Sequence, residues 1–271
     1  MTTKQIVGII LIKNEDLHIE KTIRNIVNFC DLIIVTDHNS QDQTFEIVNK
    51  LTKEYHHIQL SKIVHPTESH KVIEKFAGTP TWIFVVDGDE IYDPAGLAIM
   101  RKNIQEGLFD QDWNIFCNTL NCVSVDYAKK TAEGYLAPPS RAGARLFNFS
   151  MIESWTDCPE RVHGGKIKFR PGYHLGLRRY LHTEHTWENS YFRYVHVAFV
   201  KRSSMQSPYS RKGRLNPGEI EERRVTQNWR HLVGHFIILI KHLIGLDWKS
   251  KNYRRGPLVE KDISAFIGSV Q

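Results

Sequence analysis

The chain has 271 residues, 41% hydrophobic and 24% charged, with only 17 Gly and 10 Pro. Those proportions exclude a disordered, collagenous or low-complexity protein. The net charge of +6 hides a division: residues 1–160 carry 15 Lys+Arg against 22 Asp+Glu, and residues 161–271 carry 21 against 8. Acidic loops suit metal ions, and basic surfaces suit phosphates, anionic polymers or anionic lipid headgroups.

Four cysteines, Cys30, Cys117, Cys122 and Cys158, make neither a disulfide framework nor a zinc pattern. They read as buried reduced thiols, which suggests a cytosolic compartment. The first apolar run, Ile6–Ile12, is too short for a signal peptide and no cleavage site follows it. No stretch reaches the roughly 20 apolar residues that span a bilayer.

Ile6–Ile12 is a continuous apolar run rich in β-branched residues and reads as a buried parallel strand. Ile19, Ile23, Ile26 and Val27 then recur at helical spacing as far as Phe29. Leu32–Thr36 is a second strand. Phe45, Ile47, Val48 and Leu51 form a second helical face, and Ile58–Leu60 a short strand. Trp82–Val86 is a third clear buried strand that runs into Asp87-Gly88-Asp89-Glu90. This alternation predicts an α/β fold with a mostly parallel, doubly wound sheet flanked by helices.

Beyond Asp93 the pattern is mixed. Ile115–Thr119, Arg145–Phe149 and Lys166–Phe169 read as strands, Thr131–Arg141 as a loop, and Trp187–Lys201 as a helix. Ser203–Pro217 reads as a basic linker and Glu219–Leu246 as a long helical stretch. Residues 1–200 therefore read as one domain, divided near residue 92, with 201–271 as a basic helical C-terminal extension.

Ligands of such sheets sit outside the carboxyl ends of the strands. Asn14-Glu15, Asp37 to Asp42, and Asp87 to Glu90 all fall there, which makes one acidic crevice. Asp87 and Asp89, separated by Gly88, can reach one hard cation such as Mg²⁺ or Mn²⁺, shared with substrate phosphates. The competing reading is a solvated turn. Asp42 or Thr44 serves as a helix N-cap. Asp37, directly after its strand, has no capping role in this reading. It can accept hydrogen bonds from a nucleobase or ribose, and the alternative is a turn-forming Asp.

Lys13-Asn14-Glu15, the segment Val35 to Thr44 (VTDHNSQDQT) and Phe84 to Glu90 (FVVDGDE) resemble, in order and spacing, three motifs of family 2 glycosyltransferases. The match covers residues 5–92. It implies a GT-A fold and a nucleotide-sugar donor. By that resemblance Asp37 binds the nucleobase, with Asn14 and Glu15 lining the same pocket. Asp87 lies near the ribose and metal, Asp89 ligates the metal that bridges the diphosphate, and Glu90 shapes the loop or touches the sugar. His38 departs from the family's usual small or polar residue.

The resemblance also singles out His185, within Leu181 to Phe192, as a late histidine that completes the metal site or meets the diphosphate. His182 and His174 are the runners-up. A base must deprotonate an acceptor hydroxyl, and Asp157 and Glu160 are the candidates, with Asp126 and Glu153 behind them. Trp155 can stack on an acceptor sugar. Arg141 and Arg145 can bind diphosphate oxygens or form exposed ion pairs.

The expected activity is inverting transfer of a sugar from a nucleotide sugar to a hydroxyl of a glycan or lipid-linked acceptor, dependent on Mn²⁺ or Mg²⁺. An amphipathic basic stretch over residues 219–255 can lie on the inner face of a membrane or pack on the domain. No basic–aromatic motif for nucleic acid appears. The alternatives are a nucleotidyltransferase and a non-catalytic membrane- or polyanion-binding module. The first wants a Gly-rich basic loop after the first strand, where this chain has Lys13-Asn14-Glu15-Asp16. Intact Asp87 and Asp89 argue against the second.

Overall fold

The computed structural model describes residues 3–205 and 248–267. Up to residue 105 the chain alternates. β1 (Gln5–Ile12), α1 (Ile19–Ile26), β2 (Leu32–Asp37), α2 (Thr44–Glu54), β3 (Ile58–Lys62), α3 (Glu68–Glu74) and β4 (Thr81–Asp87) follow one another. A tight turn then leads through β5 (Glu90–Tyr92) into α4 (Pro94–Gln105). β1 to β4 are parallel, as the sequence predicts, and lie in the order β3-β2-β1-β4.

Side chains alternate across these strands, and both faces are buried. Ile6, Ile10, Trp82, Phe84 and Val35 pack on one side with α1, α2 and α4. Val7, Ile9, Ile83, Val85 and Ile34 pack on the other. A strand covered on both faces reads as a continuous apolar run. Each such side chain stabilises the fold by roughly 1.5–3 kcal/mol through burial. α4 is capped by Asp93, whose carboxylate accepts from Ala95 N and Gly96 N at 3.1 and 3.2 Å.

The second half completes this sheet and builds another. The further elements are β6 (Asn114–Phe116), β7 (Asn118–Asp126), β8 (Thr131–Ala137), β9 (Ala144–Asn148), β10 (Ile152–Thr156), β11 (Lys166–Phe169), β12 (Arg178–Tyr180), α5 (Leu181–Glu184) and β13 (Arg193–His196). After the undescribed segment come α6 (Trp248–Tyr253), β14 (Leu258–Asp262) and α7 (Ser264–Ile267). β9 adds to β4 in the antiparallel sense, and the described residues form a seven-stranded sheet in the order β12-β6-β9-β4-β1-β2-β3. A five-stranded sheet runs β14-β8-β7-β13-β5, and β10 and β11 pair with each other. The result is a mixed α/β domain with a large central sheet flanked by helices.

Several expectations for the second half are corrected. Thr131–Ala137 is a strand, because β8 finds partners on both sides, β7 and β14. Gly134 permits that pairing, since a Cβ there would lie 2.5 Å from the Asn121 carbonyl oxygen. Within Trp187–Lys201 the regular element is strand β13, held between β5 and β7. Residues 258–267 join the second sheet and its core, where Phe266 stacks on Trp187 at 5.5 Å. The helix predicted over Glu219–Leu246 lies outside the described residues. The four cysteines are buried thiols. Among the described residues no helix is long and apolar enough to cross a membrane.

Candidate functional site

Strand register sets the site. β1 pairs so that Ile12 lies beside Asp37 and Leu11 beside Asp87. Three parallel strands thus end level, with their acidic loops adjacent.

Backbone hydrogen bonds stitch the first two loops together. Asn14 adopts a left-handed conformation (φ 55°), which Asn tolerates. Its Oδ1 accepts from Gln41 N at 2.7 Å, and its own N–H donates to Ser40 Oγ at 3.0 Å. Glu15 N donates to Thr44 Oγ1 at 2.7 Å. Asp37 is fully buried, and its two oxygens accept from Ser40 N at 3.1 Å and Ser40 Oγ at 2.5 Å. The carboxylate therefore holds the turn after β2, the alternative role that the sequence offered for it. Asp42 accepts from Thr44 N at 3.0 Å at the start of α2.

The buried Glu15 carboxylate lies against the D-G-D turn. A Cβ at position 88 would meet Glu15 Oε2 at 1.9 Å, so any larger residue there must displace the Glu15 carboxylate. Gly88→Ala is expected to push Glu15 aside, lower stability by about 1–3 kcal/mol as overpacking does, and weaken cation binding. Thermal unfolding and Mn²⁺ titration check this; unchanged values for both would detach Glu15 from the turn.

Asp89 is 0% exposed. Its Oδ2 accepts from Arg202 Nη1 at 3.0 Å and stands 3.7 Å from His196 Nε2. The same Arg202 nitrogen is 3.6 Å from Glu15 Oε1. Asn121 orients the histidine. Its amide nitrogen donates to Ser140 Oγ at 2.9 Å, which leaves Oδ1 to accept from His196 Nδ1 at 2.9 Å. Nδ1 therefore carries a proton, and Nε2 faces Asp89.

Asp87 is held by two guanidinium groups. Arg161 Nη1 donates to its Oδ1 at 2.6 Å, and Arg145 Nη2 lies 3.6 Å from Oδ2. Arg145 also pairs with fully buried Glu90, which accepts from Tyr92 Oη at 3.0 Å and Asp87 N at 3.2 Å. Burial raises the Glu90 carboxyl above its ordinary 4.5, and Arg145 pulls against that rise. Glu90 thus braces the turn from inside the core. Glu160 lies 3.3 Å from Arg161 Nη2 and 3.4 Å from His163 Nδ1, one guanidinium away from Asp87.

Other expected residues stand elsewhere. Asp157 is exposed, in a left-handed turn, paired with Lys166 at 2.9 Å. His185 packs on Tyr191 at 5.4 Å, and its carbonyl accepts from Asn118 Nδ2 at 3.1 Å. His182 rests against Phe116, and exposed His174 accepts from Gly176 N. Trp155 is buried in the second core and donates to Gly164 O at 2.9 Å, so it is no stacking platform. Asp126 closes the β7–β8 turn, and Glu153 pairs with Lys168. Arg141 is exposed, with its N–H donating to Asn252 O at 3.0 Å. The reading missed His196, Arg161 and Arg202. His196 carried a weak signal, as one polar side chain in the apolar stretch Tyr194–Ala198.

Among the described residues no three His, Cys, Asp or Glu side chains form a metal cage. Glu15 and Asp89 nevertheless converge on one cationic atom, Arg202 Nη1. One or two carboxylates are the usual protein share for Mg²⁺ when phosphates complete its shell. The pair fits such an ion, with an imidazole nitrogen beside it. The C-terminal residues roof the site: Tyr253 of α6 meets His196 edge-on at 5.4 Å.

His18 anchors the opposite rim. Its Nε2 donates to Lys201 O at 2.9 Å, and Nδ1 accepts from Tyr127 Oη at 3.0 Å. Burial lowers this imidazole below its ordinary 6.5. The unfolded chain then takes up the proton first, so the neutral ring's contribution to stability is full above pH 6.5 and is lost as pH falls below it. Thermal unfolding from about pH 5 to 7.5 is expected to show a rise that His18→Gln flattens. An equally steep rise in the variant would assign it to other groups.

No protein family and no curated protein matches the chain by sequence. Solved structures that it resembles over part of its length include TarS of S. aureus, at 18% identity over 54% of this chain and 29% of that one, TM-score 0.38. Another is the Pyrobaculum calidifontis mannosyltransferase PcManGT in complex with GDP-Man and Mn²⁺, at 16% identity over 43% and 36%, TM-score 0.35. A third is 4-diphosphocytidyl-2C-methyl-D-erythritol synthase from Anaerococcus prevotii, at 14% identity over 54% and 70%, TM-score 0.33. The aligned part spans only 29% and 36% of the first two. This chain's own residues carry the functional reading.

Proposed function

We propose that the chain is a nucleotide-sugar-dependent glycosyltransferase of the GT-A type, related to family 2. It moves one sugar, with inversion, to a hydroxyl of a glycan or lipid-linked acceptor. The observation that supports this most is the convergence of Glu15 and Asp89 on one cationic atom, beside Asp87, at the carboxyl ends of β1 and β4.

Asp89 would hold a divalent cation, Mn²⁺ or Mg²⁺, flanked by Asp87, Glu15 and His196. The cation supplies neutralisation of charge on the departing diphosphate. Asn14 and Asp37 act on the donor by fixing the loops that would face its nucleoside. Arg145 and Arg161 keep the Asp87 carboxylate in place. In the reaction the acceptor oxygen bonds to the anomeric carbon as that carbon's bond to the diphosphate breaks. The diphosphate leaves with the electron pair, and the hydroxyl proton passes to a carboxylate base. Glu160 fits that role better than surface-paired Asp157.

A thermal-shift panel of nucleoside diphosphates, each with and without Mn²⁺, tests the reading. A true donor fragment stabilises by RT ln(1 + [L]/Kd) and is expected to need the cation. Stabilisation by metal-free polyanions alone would favour a polyanion-binding module instead.

A further inference from the structure

The segment Lys201–Ser204 crosses all three acidic loops and fastens to each. Lys201 O accepts from His18, and Arg202 O accepts from Leu17 N at 3.1 Å, both at the end of the loop after β1. Ser203 Oγ donates to Asp42 Oδ2 at 2.5 Å in the loop after β2. Ser204 N donates to Asp16 Oδ1 at 2.7 Å. Between these ties Arg202 sends its guanidinium to Asp89, in the loop after β4, and to Glu15. The Arg202 side chain is 15% exposed, while Asp89 and Glu15 are at 0% and 1%.

Two buried carboxylates this close need a positive charge, since an uncompensated buried charge is strongly destabilising. Arg202 brings positive charge to both, with one nitrogen 3.6 Å from Glu15 Oε1 and 3.0 Å from Asp89 Oδ2. A divalent cation asks for the same oxygens. Two cations cannot share them without like-charge repulsion, so the occupants compete.

We infer that Arg202 is a tethered counter-ion of Glu15 and Asp89, which a divalent cation must displace, so that cation binding removes one tie of the Lys201–Ser204 strap and loosens it. This deepens the cation-and-diphosphate reading above and rests on it. Linkage is reciprocal: if cation binding loosens the strap, loosening the strap strengthens cation binding. The freed guanidinium stays close by on its strap, with its positive charge available to an incoming diphosphate.

The test is Mn²⁺ binding to the full chain, read from the electron paramagnetic resonance of the free ion. Arg202→Gln is expected to bind Mn²⁺ roughly 5- to 150-fold more tightly than the wild type, the usual span of coupling between linked ligands. Arg202→Lys, which keeps the charge, is expected to stay near the wild type. Ser203→Ala combined with Ser204→Ala loosens the strap without removing charge and should shift affinity in the same direction as Arg202→Gln. The wild type gives a readout that needs no variant to fold: Mn²⁺ should speed tryptic cleavage after Lys201 or Arg202, mapped by mass spectrometry. Equal or weaker Mn²⁺ binding by Arg202→Gln, or a cleavage rate indifferent to Mn²⁺, would overturn the inference. Nucleoside diphosphate stabilisation of the wild type reads the transfer proposal separately. It can fail while the competition holds, or hold while the competition fails.

Discussion

Arg145→Ala should destabilise the protein by about 3–5 kcal/mol, the cost of leaving a buried charge without its partner. The guanidinium pairs with Glu90, which is fully buried, lies near Asp87, and bonds to Tyr194 Oη at 3.1 Å. It also packs over the Tyr194 ring, with 5.2 Å from guanidinium carbon to centroid. Alanine removes all of these at once. Denaturant unfolding of the wild type, Arg145→Ala, Glu90→Gln and the double variant forms a cycle that isolates the pair. The double variant should lose much less than the sum of the single losses, because the neutral amide that Glu90→Gln introduces no longer needs a cation. A strictly additive cycle would mean that Glu90 and Arg145 act independently.

Asp89→Asn should lower sugar-transfer turnover by at least about 10²-fold, the scale set by removing one preorganised charge contact to a developing anion. It should also weaken Mn²⁺ binding. The substitution is nearly isosteric, and its amide still offers an oxygen to Arg202 Nη1. Far-ultraviolet circular dichroism and thermal unfolding separate loss of function from loss of fold. A folded Asp89→Asn with wild-type turnover and wild-type Mn²⁺ affinity would remove Asp89 from the site. The two variants divide the D-G-D-E turn by task. Glu90 faces the core and holds the turn, while Asp89 meets the strap and the proposed cation.

The parallel half of the fold was legible because its strands are buried on both faces. Ile6–Ile12, Leu32–Thr36 and Trp82–Val86 are long apolar runs bounded by polar loops, and neighbouring strands carry the same signal. The acidic loops were legible for the same reason, as they follow directly from strand ends. β13 was not. Tyr194, Val195, His196 and Val197 are all buried, so no period-two pattern marks the strand, and its partners are β5 and β7, far away in the chain. β8 hid behind a Gly and two prolines. Long-range ion pairs leave no local trace at all. Arg145 meets Glu90 across 55 residues, and Arg202 meets Asp89 across 113. Asp37 shows the opposite case. Its partner Ser40 is only three residues on, so the turn-forming role, the alternative to a ligand role, is readable from local sequence.

The placement of β14 bears on how the protein can be shortened. Leu258–Asp262 is the outermost strand of the five-stranded sheet, and Phe266 behind it covers Trp187 while Arg193 stacks on both rings. Cutting the gene at codon 205 to discard an apparent tail would strip that strand, bare the edge of β8 to self-association, and open an indole to water.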